Sequence, residues 1–97
     1  MDKILEKWEE ILQYVKKEHE LSDISFDTWL KPLEVYSVEE NLIYILVPSE
    51  QIGISYLNKK YYLALRVAIA EILGSEYDIK FILPEDAKKI RSVNSKG

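Results

Sequence analysis

The fold is decided by residues 32–48, which read PLEVYSVEENLIYILVP. After Pro32 the apolar period changes to two, so that Leu33 and Val35 begin one predicted strand, and the apolar residues 42–47 form a second predicted strand. Residues 38–41, between the two runs, predict a polar turn. Because the runs lie close together in the sequence, we expect them to pair as a hairpin that ends at Pro48.

Helical periodicity precedes this hairpin. Residues 2–20 place apolar side chains at spacings of three and four, which predicts an amphipathic helix. A break follows, and Ser25 is a suitable N-cap for a short helix over Phe26–Leu30. Pro32 ends that helix, because the residue before a proline avoids the helical conformation.

The same periodicity returns after the hairpin. A short helix is predicted over residues 50–58, with Ser49 as its N-cap, and a longer helix over residues 61–73. Gly74 is a suitable C-cap for the longer helix. Residues 77–83 alternate between apolar and polar side chains, which predicts a third strand that stops before a proline.

The predicted order of elements is α-α-β-β-α-α-β. It indicates an α+β fold in which a three-stranded sheet packs against helices. A chain of 97 residues has the size of one domain, which we assign to residues 1–84, and the polar residues 85–97 are predicted to begin a flexible linker. This order is also that of KH-type domains, many of which bind nucleic acid.

The composition, 47% hydrophobic and 31% charged, is typical of a soluble globular domain. Cysteine is absent, which excludes a disulfide framework and fits a reducing compartment. No apolar run approaches the roughly 20 residues that cross a bilayer. The first residues are charged, unlike those of a signal peptide. We therefore predict a cytoplasmic location and no membrane partner.

The net charge of −4 is unevenly distributed along the chain. Residues 85–97 hold four basic side chains against two acidic ones, so residues 1–84 carry a net −6. An acidic surface disfavours nucleic acid as the main partner, because phosphate contacts need basic side chains. KH domains also clamp nucleic acid with a GXXG loop, and no two glycines have that spacing here. Weak single-stranded nucleic-acid binding on a KH-like surface is the alternative hypothesis.

Signatures of catalysis and of metal binding are missing from the sequence. The three glycines do not form a phosphate-binding loop. His19 is the single histidine, lies among charged residues, and is interpreted as a solvated side chain. Most carboxylates of the first helix fall on its outward face. We therefore predict no enzyme activity and no catalytic, cofactor-binding or metal-binding residue.

Protein contact is the function that these exclusions favour. Trp8 lies on a helix whose neighbouring side chains are charged, and Trp29 lies on a helix too short to bury all that it carries. Tryptophan and tyrosine are frequent anchors at interfaces, but in a small domain they also fill the core. For Trp29 the core is the favoured interpretation, and for Trp8 both roles stay open. The tyrosines are too dispersed to define a site: Tyr36, Tyr44, Tyr56, Tyr61, Tyr62 and Tyr77.

Five segments carry a resemblance to a known family. In chain order they read ILEKWEEILQYVKKE, SFDTWLKPLEVYS, NLIYILVPSEQ, YLNKKYYLAL and YDIKFILPED. They combine an early tryptophan, an F-x-x-W-hydrophobic-K-P motif, a strand that ends in proline, and a K-Y pair on the long helix. This combination, over about residues 1–86, resembles the N-terminal domain of bacterial DnaA replication initiators.

The resemblance implies a KH-like docking module without ATPase chemistry, taken from a longer protein. It implies weak self-association, help in loading a replicative helicase of the DnaB type, and binding of small regulators during initiation at the chromosomal origin. DNA is then bound mainly by other domains of the longer protein. The resemblance implies no cofactor for this domain.

Three groups of residues take their expected roles from the resemblance. Self-association is expected at Leu5, Trp8 and Leu12. Helicase contact is expected at Ser25, Phe26, Asp27 and Ile52, with Ser25 replacing an acidic residue of the family. Regulator contact is expected at Thr28, Trp29, Ser49, Glu50, Gln51 and Ile52. Tyr56 replaces a tryptophan that is common in the family.

Overall fold

The computed structural model describes residues 2–48 and 53–88. Its elements are α1 (Asp2–Glu18), α2 (Asp23–Ser25) with a π-helical turn (Phe26–Leu30), β1 (Glu34–Glu39), β2 (Leu42–Leu46), α3 (Ile54–Lys60), α4 (Tyr62–Leu73) and β3 (Asp78–Ile82). The predicted α+β class and the predicted order of elements are confirmed.

The three strands form one sheet in the order β1-β2-β3. Strands β1 and β2 pair antiparallel as the predicted hairpin, whereas β2 and β3 pair parallel after a crossover through α3 and α4. The hairpin turn is shorter than predicted, because β1 continues through Val38 to Glu39. Glu40 adopts a left-handed φ of 54°. A left-handed residue lets the chain reverse within two residues, so Val38 stays in the strand.

Helices α1 and α4 pack on each other and cover one face of the sheet. Ile43 and Ile45 of β2, like Ile79 and Phe81 of β3, alternate with residues on the outer face and are buried against the helices. The helices contribute Ile4, Ile11, Leu12, Val15, Leu65, Ala68 and Ile69 to the same core. Isolated helices of this length are marginal in water, so burial of these side chains stabilises them.

Helix α2 begins earlier than predicted and has a different cap. The Ser22 hydroxyl, rather than that of Ser25, is the cap, and it accepts a hydrogen bond from the Ser25 backbone N–H at 3.1 Å. The Nζ atom of Lys16 on α1 lies 2.6 Å from Asp23 Oδ1 and holds the first turn in place. Both serines suit an N-cap by residue type, so the contact with α1 favours the earlier one.

Two glycines in the left-handed conformation bound α3 and α4. Gly53 has φ 80° and directly precedes α3, so the helix predicted over residues 50–58 does not run through it. The start predicted for that helix, with its cap Ser49, lies outside the described residues. Gly74 has φ 76° and donates its N–H to the Ala70 carbonyl oxygen at 2.9 Å, which confirms the predicted C-cap.

The segment after β3 is a helical turn over residues 84–88. Its Ala87 is buried, and the Ala87 carbonyl oxygen accepts a hydrogen bond from the Tyr36 hydroxyl at 3.0 Å. Pro84 ends the strand as predicted, but proline is also tolerated in the first turn of a helix. The first residues of the predicted linker are therefore helical and packed, and residues 89–97 lie outside the described part of the chain.

Candidate protein-interaction surface

Trp8 links helix α1 to the residue that precedes β1 by a hydrogen bond. Its side chain is half-buried, and the indole Nε1–H donates to the Leu33 carbonyl oxygen at 3.0 Å. The indole N–H is the only polar group of this ring, and it usually has a partner when buried. The hydrogen bond gives Trp8 a structural role beside any contact that its exposed part makes.

The three residues expected to support self-association differ in exposure. Leu5 is 50% exposed, Trp8 is half-buried, and Leu12 is 5% exposed. Leu12 therefore belongs to the core and offers almost no surface to a second copy. Self-association through α1 stays a prediction, and it now depends on Leu5 and the exposed part of Trp8.

A cleft beside Trp8 joins two of the predicted groups. It has a volume of about 260 Å³ and lies between α1 and the π-helical turn. Trp8, from the self-association group, and Phe26, from the helicase group, both line it. Its other lining residues are Glu9, Leu12, Gln13 and Lys31. The fold thus brings Trp8 and Leu12 of the first group and Phe26 of the second to the same cleft.

The residues expected to contact a helicase also differ in exposure. Phe26 is 6% exposed, and the Lys16 Nζ lies 5.0 Å from the centre of its ring, a cation–π contact. Ser25 is half-buried, Asp27 is exposed, and Ile52 lies outside the described residues. Phe26 is therefore a core residue, and Asp27 is the exposed acidic side chain among the described residues of this group.

Trp29, Tyr56 and Tyr61 form what we call the aromatic cluster. The ring centres of Trp29 and Tyr56 are 4.4 Å apart with an interplanar angle of 37°. Those of Tyr56 and Tyr61 are 6.2 Å apart at 71°, an edge-to-face pair. Tyr61 is 2% exposed and burial raises its pKa, whereas Tyr56 is 39% exposed. The cluster thus has a buried base and an exposed tip.

The surroundings of the aromatic cluster are polar and charged. The Lys60 Nζ lies 5.8 Å from the centre of the Tyr56 ring, and Thr28 is exposed beside Trp29 in the sequence. Thr28 and the half-buried Trp29 are the regulator-contact residues that the structure describes. The other predicted contacts lie outside the described residues: Ser49, Glu50, Gln51 and Ile52.

Sequence reasoning missed Tyr56 as a member of this site. The tyrosines are dispersed along the chain, and only the fold brings α3 against the π-helical turn so that Tyr56 meets Trp29. The available signal was the family resemblance, in which a tryptophan is common at the position of Tyr56. By that resemblance, Tyr56 keeps an aromatic ring where a tryptophan is expected.

Two further findings concern metals and membranes. Among the residues that the structure describes, no group of three or more histidine, cysteine, aspartate or glutamate side chains is placed to hold a metal ion. No helix within residues 2–48 and 53–88 is long and apolar enough to span a membrane. His19 is exposed and lines a cleft between α1 and α4.

The fold and this surface define a small α+β domain with a cluster of partly exposed aromatic side chains. Residues 6–71 match the family model described as the DnaA N-terminal domain. The chain is also 36% identical, over 97 residues, to a chromosomal replication initiator protein DnaA of Lachnoclostridium phytofermentans. That alignment covers 97% of this chain and 21% of the relative, so the chain spans about a fifth of the relative's length. The chain therefore belongs to the DnaA N-terminal domain family, as its motifs predict.

Proposed function

We propose that this chain is the protein-interaction domain of a bacterial replication initiator. In this role it self-associates weakly, helps to load the replicative helicase, and binds small regulators of initiation. The proposed role involves no catalytic step, and the proposed location of the protein is the cytoplasm. The observation that supports it is the exposure of Tyr56 at the tip of the aromatic cluster. The chain's membership of the DnaA N-terminal domain family gives that exposed ring its expected role.

The geometry of the cluster suits the binding of a protein. Tyr61 is buried and Trp29 is half-buried, so Tyr56 is supported on both sides by side chains that the core holds. A side chain that is ordered before binding loses less conformational entropy when a partner arrives. Asp27 and Thr28, which precede Trp29 in the sequence, are exposed, and polar side chains of this kind form the rim of protein interfaces.

The charge of the domain supports a protein partner over duplex DNA. Residues 1–84 carry a net −6, and nucleic-acid binding needs a basic surface. We propose that DNA is bound mainly by other parts of the longer protein, since this chain spans about a fifth of its relative.

Helicase contact is expected at Asp27 of the π-helical turn, and Tyr56 packs on Trp29 of the same turn. Helicase binding is therefore tested with the Tyr56→Ala variant. The purified replicative helicase of the same organism is titrated onto the immobilised 97-residue chain, and affinity is read by biolayer interferometry. Removing an interface tyrosine is expected to weaken binding at least about tenfold. Tyr44→Ala is the matched control, because Tyr44 is a half-buried tyrosine on the outer face of β2. Equal affinities for Tyr56→Ala and the wild type would contradict a helicase role for the cluster.

Self-association is tested with Leu5→Ser, because Leu5 is half exposed and its substitution spares the core. Sedimentation velocity over a concentration series is expected to show a weaker monomer–dimer equilibrium for Leu5→Ser than for the wild type. Ile24→Ser is the control, since Ile24 is 79% exposed and lies outside α1. A wild type that stays monomeric at every concentration would end this part of the proposal.

A second candidate function is weak binding of single-stranded nucleic acid. The stacked Trp29 and Tyr56 rings, with the Lys60 ammonium 5.8 Å from Tyr56, resemble the combination of aromatic and basic side chains on which bases stack. Fluorescence anisotropy with a short oligonucleotide over a salt series separates the two functions. The protein-interaction proposal predicts little binding. Tight, steeply salt-dependent binding that Tyr56→Ala abolishes would favour the nucleic-acid function.

A further inference from the structure

Helix α4 presents two apolar side chains to solvent. Leu63 and Val67 lie one turn apart and are 69% and 53% exposed, and we call this pair the α4 ridge. A cleft of about 350 Å³ flanks the ridge on the side of α1, where Tyr14 and Val15 line it. A second cleft of about 320 Å³ flanks it on the side of Tyr77, next to β3. Contiguous exposed apolar surface is typical of interaction sites.

Three exposed carboxylates surround the ridge: Glu18 of α1, Glu71 of α4 and Glu76 before β3. Partial burial, followed by the charges of Glu18 and Glu71, raises the pKa of the Tyr14 hydroxyl. Carboxylates from both helices therefore act on the same cleft. Among the described residues, the ion pairs are Lys7–Glu10, Lys16–Asp23 and Arg66–Asp78, and none of them neutralises this rim.

The basic side chain at the second cleft is engaged within the domain. The Arg66 Nε donates to the Tyr77 carbonyl oxygen at 3.1 Å and lies 3.9 Å from Asp78 Oδ1. Arg66 and His19 are the basic side chains that line the two clefts, and the three carboxylates outnumber them. The rim of the ridge is therefore acidic at neutral pH.

We propose that the α4 ridge binds a basic amphipathic helix of another protein. Residues four apart on a helix form a ridge that fits between the side chains of a second helix, the commonest mode of helix packing. Lysine and arginine beside the apolar stripe of that helix would meet Glu18, Glu71 and Glu76. A second copy of this domain fits less well, because its body also carries a net −6.

This surface shares no residue with Leu5, Trp8 or the aromatic cluster, so it is a second and independent docking site. One other occupant has suitable charge. Residues 89–97 of the same chain hold three basic side chains and no acidic one, and the test has to distinguish this segment from an external helix.

The probe is a synthetic amphipathic peptide of leucine and lysine, with leucines at helical spacings of three and four. Two matched peptides are a shuffled isomer without that spacing and a twin in which glutamate replaces lysine. Binding to the isotope-labelled 97-residue chain is followed by amide chemical shifts. The leucine–lysine peptide is expected to shift residues around Leu63, Val67 and Tyr14, and the two matched peptides are expected to bind weakly or not at all.

Variants identify the side chains that bind. Leu63→Ala with Val67→Ala is expected to weaken peptide binding at least about tenfold. Glu18→Gln with Glu71→Gln is expected to weaken it about threefold and to reduce its salt dependence. Ile24→Ala and Glu39→Gln are the matched controls, because both side chains are exposed and lie away from the ridge.

Four results would overturn the proposal. The first two are that the shuffled or acidic peptide binds as tightly as the basic helix, or that Ile24→Ala weakens binding as much as the ridge variant does. The third is that removal of residues 89–97 raises the affinity, which would make the chain's own segment the occupant. The fourth is that the ridge variant abolishes self-association, which would make a second copy the occupant. Because Tyr56→Ala tests a different surface, failure here leaves the proposed helicase contact intact, and failure there leaves this proposal intact.

Discussion

The two tryptophans are held by different kinds of contact. Trp8 donates a hydrogen bond from its ring to the Leu33 carbonyl oxygen at 3.0 Å, whereas Trp29 stacks on Tyr56 with ring centres 4.4 Å apart. A bond to a backbone oxygen ties one element of the fold to another. A stack with a partly exposed ring instead orders a side chain at the surface. The comparison suggests that Trp8 mainly stabilises the fold, whereas Trp29 mainly holds the Tyr56 side chain in place at the surface.

The largest expected effect is the loss of the whole Trp8 side chain. Trp8→Ala removes half-buried packing and leaves the Leu33 carbonyl oxygen without its donor, so we expect a loss of about 3 kcal/mol in the free energy of unfolding. Urea denaturation followed by circular dichroism measures it. A loss below that of Tyr56→Ala would reverse the assignment of roles to the two regions.

Trp8→Phe separates the hydrogen bond from the packing. The ring is kept but its N–H is lost, and we expect a cost of about 1.5 kcal/mol, because a partly buried carbonyl oxygen is left unpaired. The same denaturation experiment gives this value. If the phenylalanine variant is as stable as the wild type, the bond to Leu33 contributes nothing and packing alone explains Trp8.

In the other region, Tyr56→Ala is expected to cost about 1 kcal/mol of stability, the range measured for aromatic pairs. Its effect on partner binding is expected to be larger than its effect on folding. Measuring unfolding and helicase affinity on the same preparation compares the two. A stability loss as large as that of Trp8→Ala would show that the aromatic cluster is mainly a structural element.

The smallest effect concerns the ion pair beside the Trp8 cleft. The hydrogen bond from Lys16, with its charge, lowers the pKa of Asp23. A folded-state pKa below the unfolded value of about 3.9 means that the contribution to stability is present above that pH. It is lost as the pH falls through the folded-state pKa.

Lys16→Gln is therefore expected to raise the pKa of Asp23 towards its ordinary value, which carboxyl NMR titration measures. Lys17→Gln, the next position along α1, is the control and should leave that titration unchanged. An unaltered Asp23 titration in Lys16→Gln would mean that the pair does not persist in solution.

Much of the fold could be predicted from local patterns. The change from a helical period to a period of two after Pro32 predicts the hairpin, and the capping role of Gly74 follows from its residue type. The start of α2 could not be predicted in the same way. Ser22 and Ser25 are equally suitable caps, and the contact between Lys16 and Asp23 joins two different helices, α1 and α2.

The candidate site was predictable only in part. The family resemblance located Trp29 and Thr28, but exposure decides which of the predicted residues can touch a partner. Leu5 and Leu12 lie on the same helix, seven residues apart, yet Leu5 is half exposed and Leu12 is buried. That difference depends on where α1 meets the rest of the core, which sequence spacing does not specify.

The sequence by itself determined the class of this domain, the order of its elements and its family. These depend on short-range patterns, because hydrophobic period, caps and prolines act within a few residues. Only the tertiary structure decided which aromatic rings meet, where Trp8 is bonded, and that Leu63 and Val67 remain uncovered on α4. Such pairings join residues far apart in the chain, and they depend on the packing of helices against the sheet.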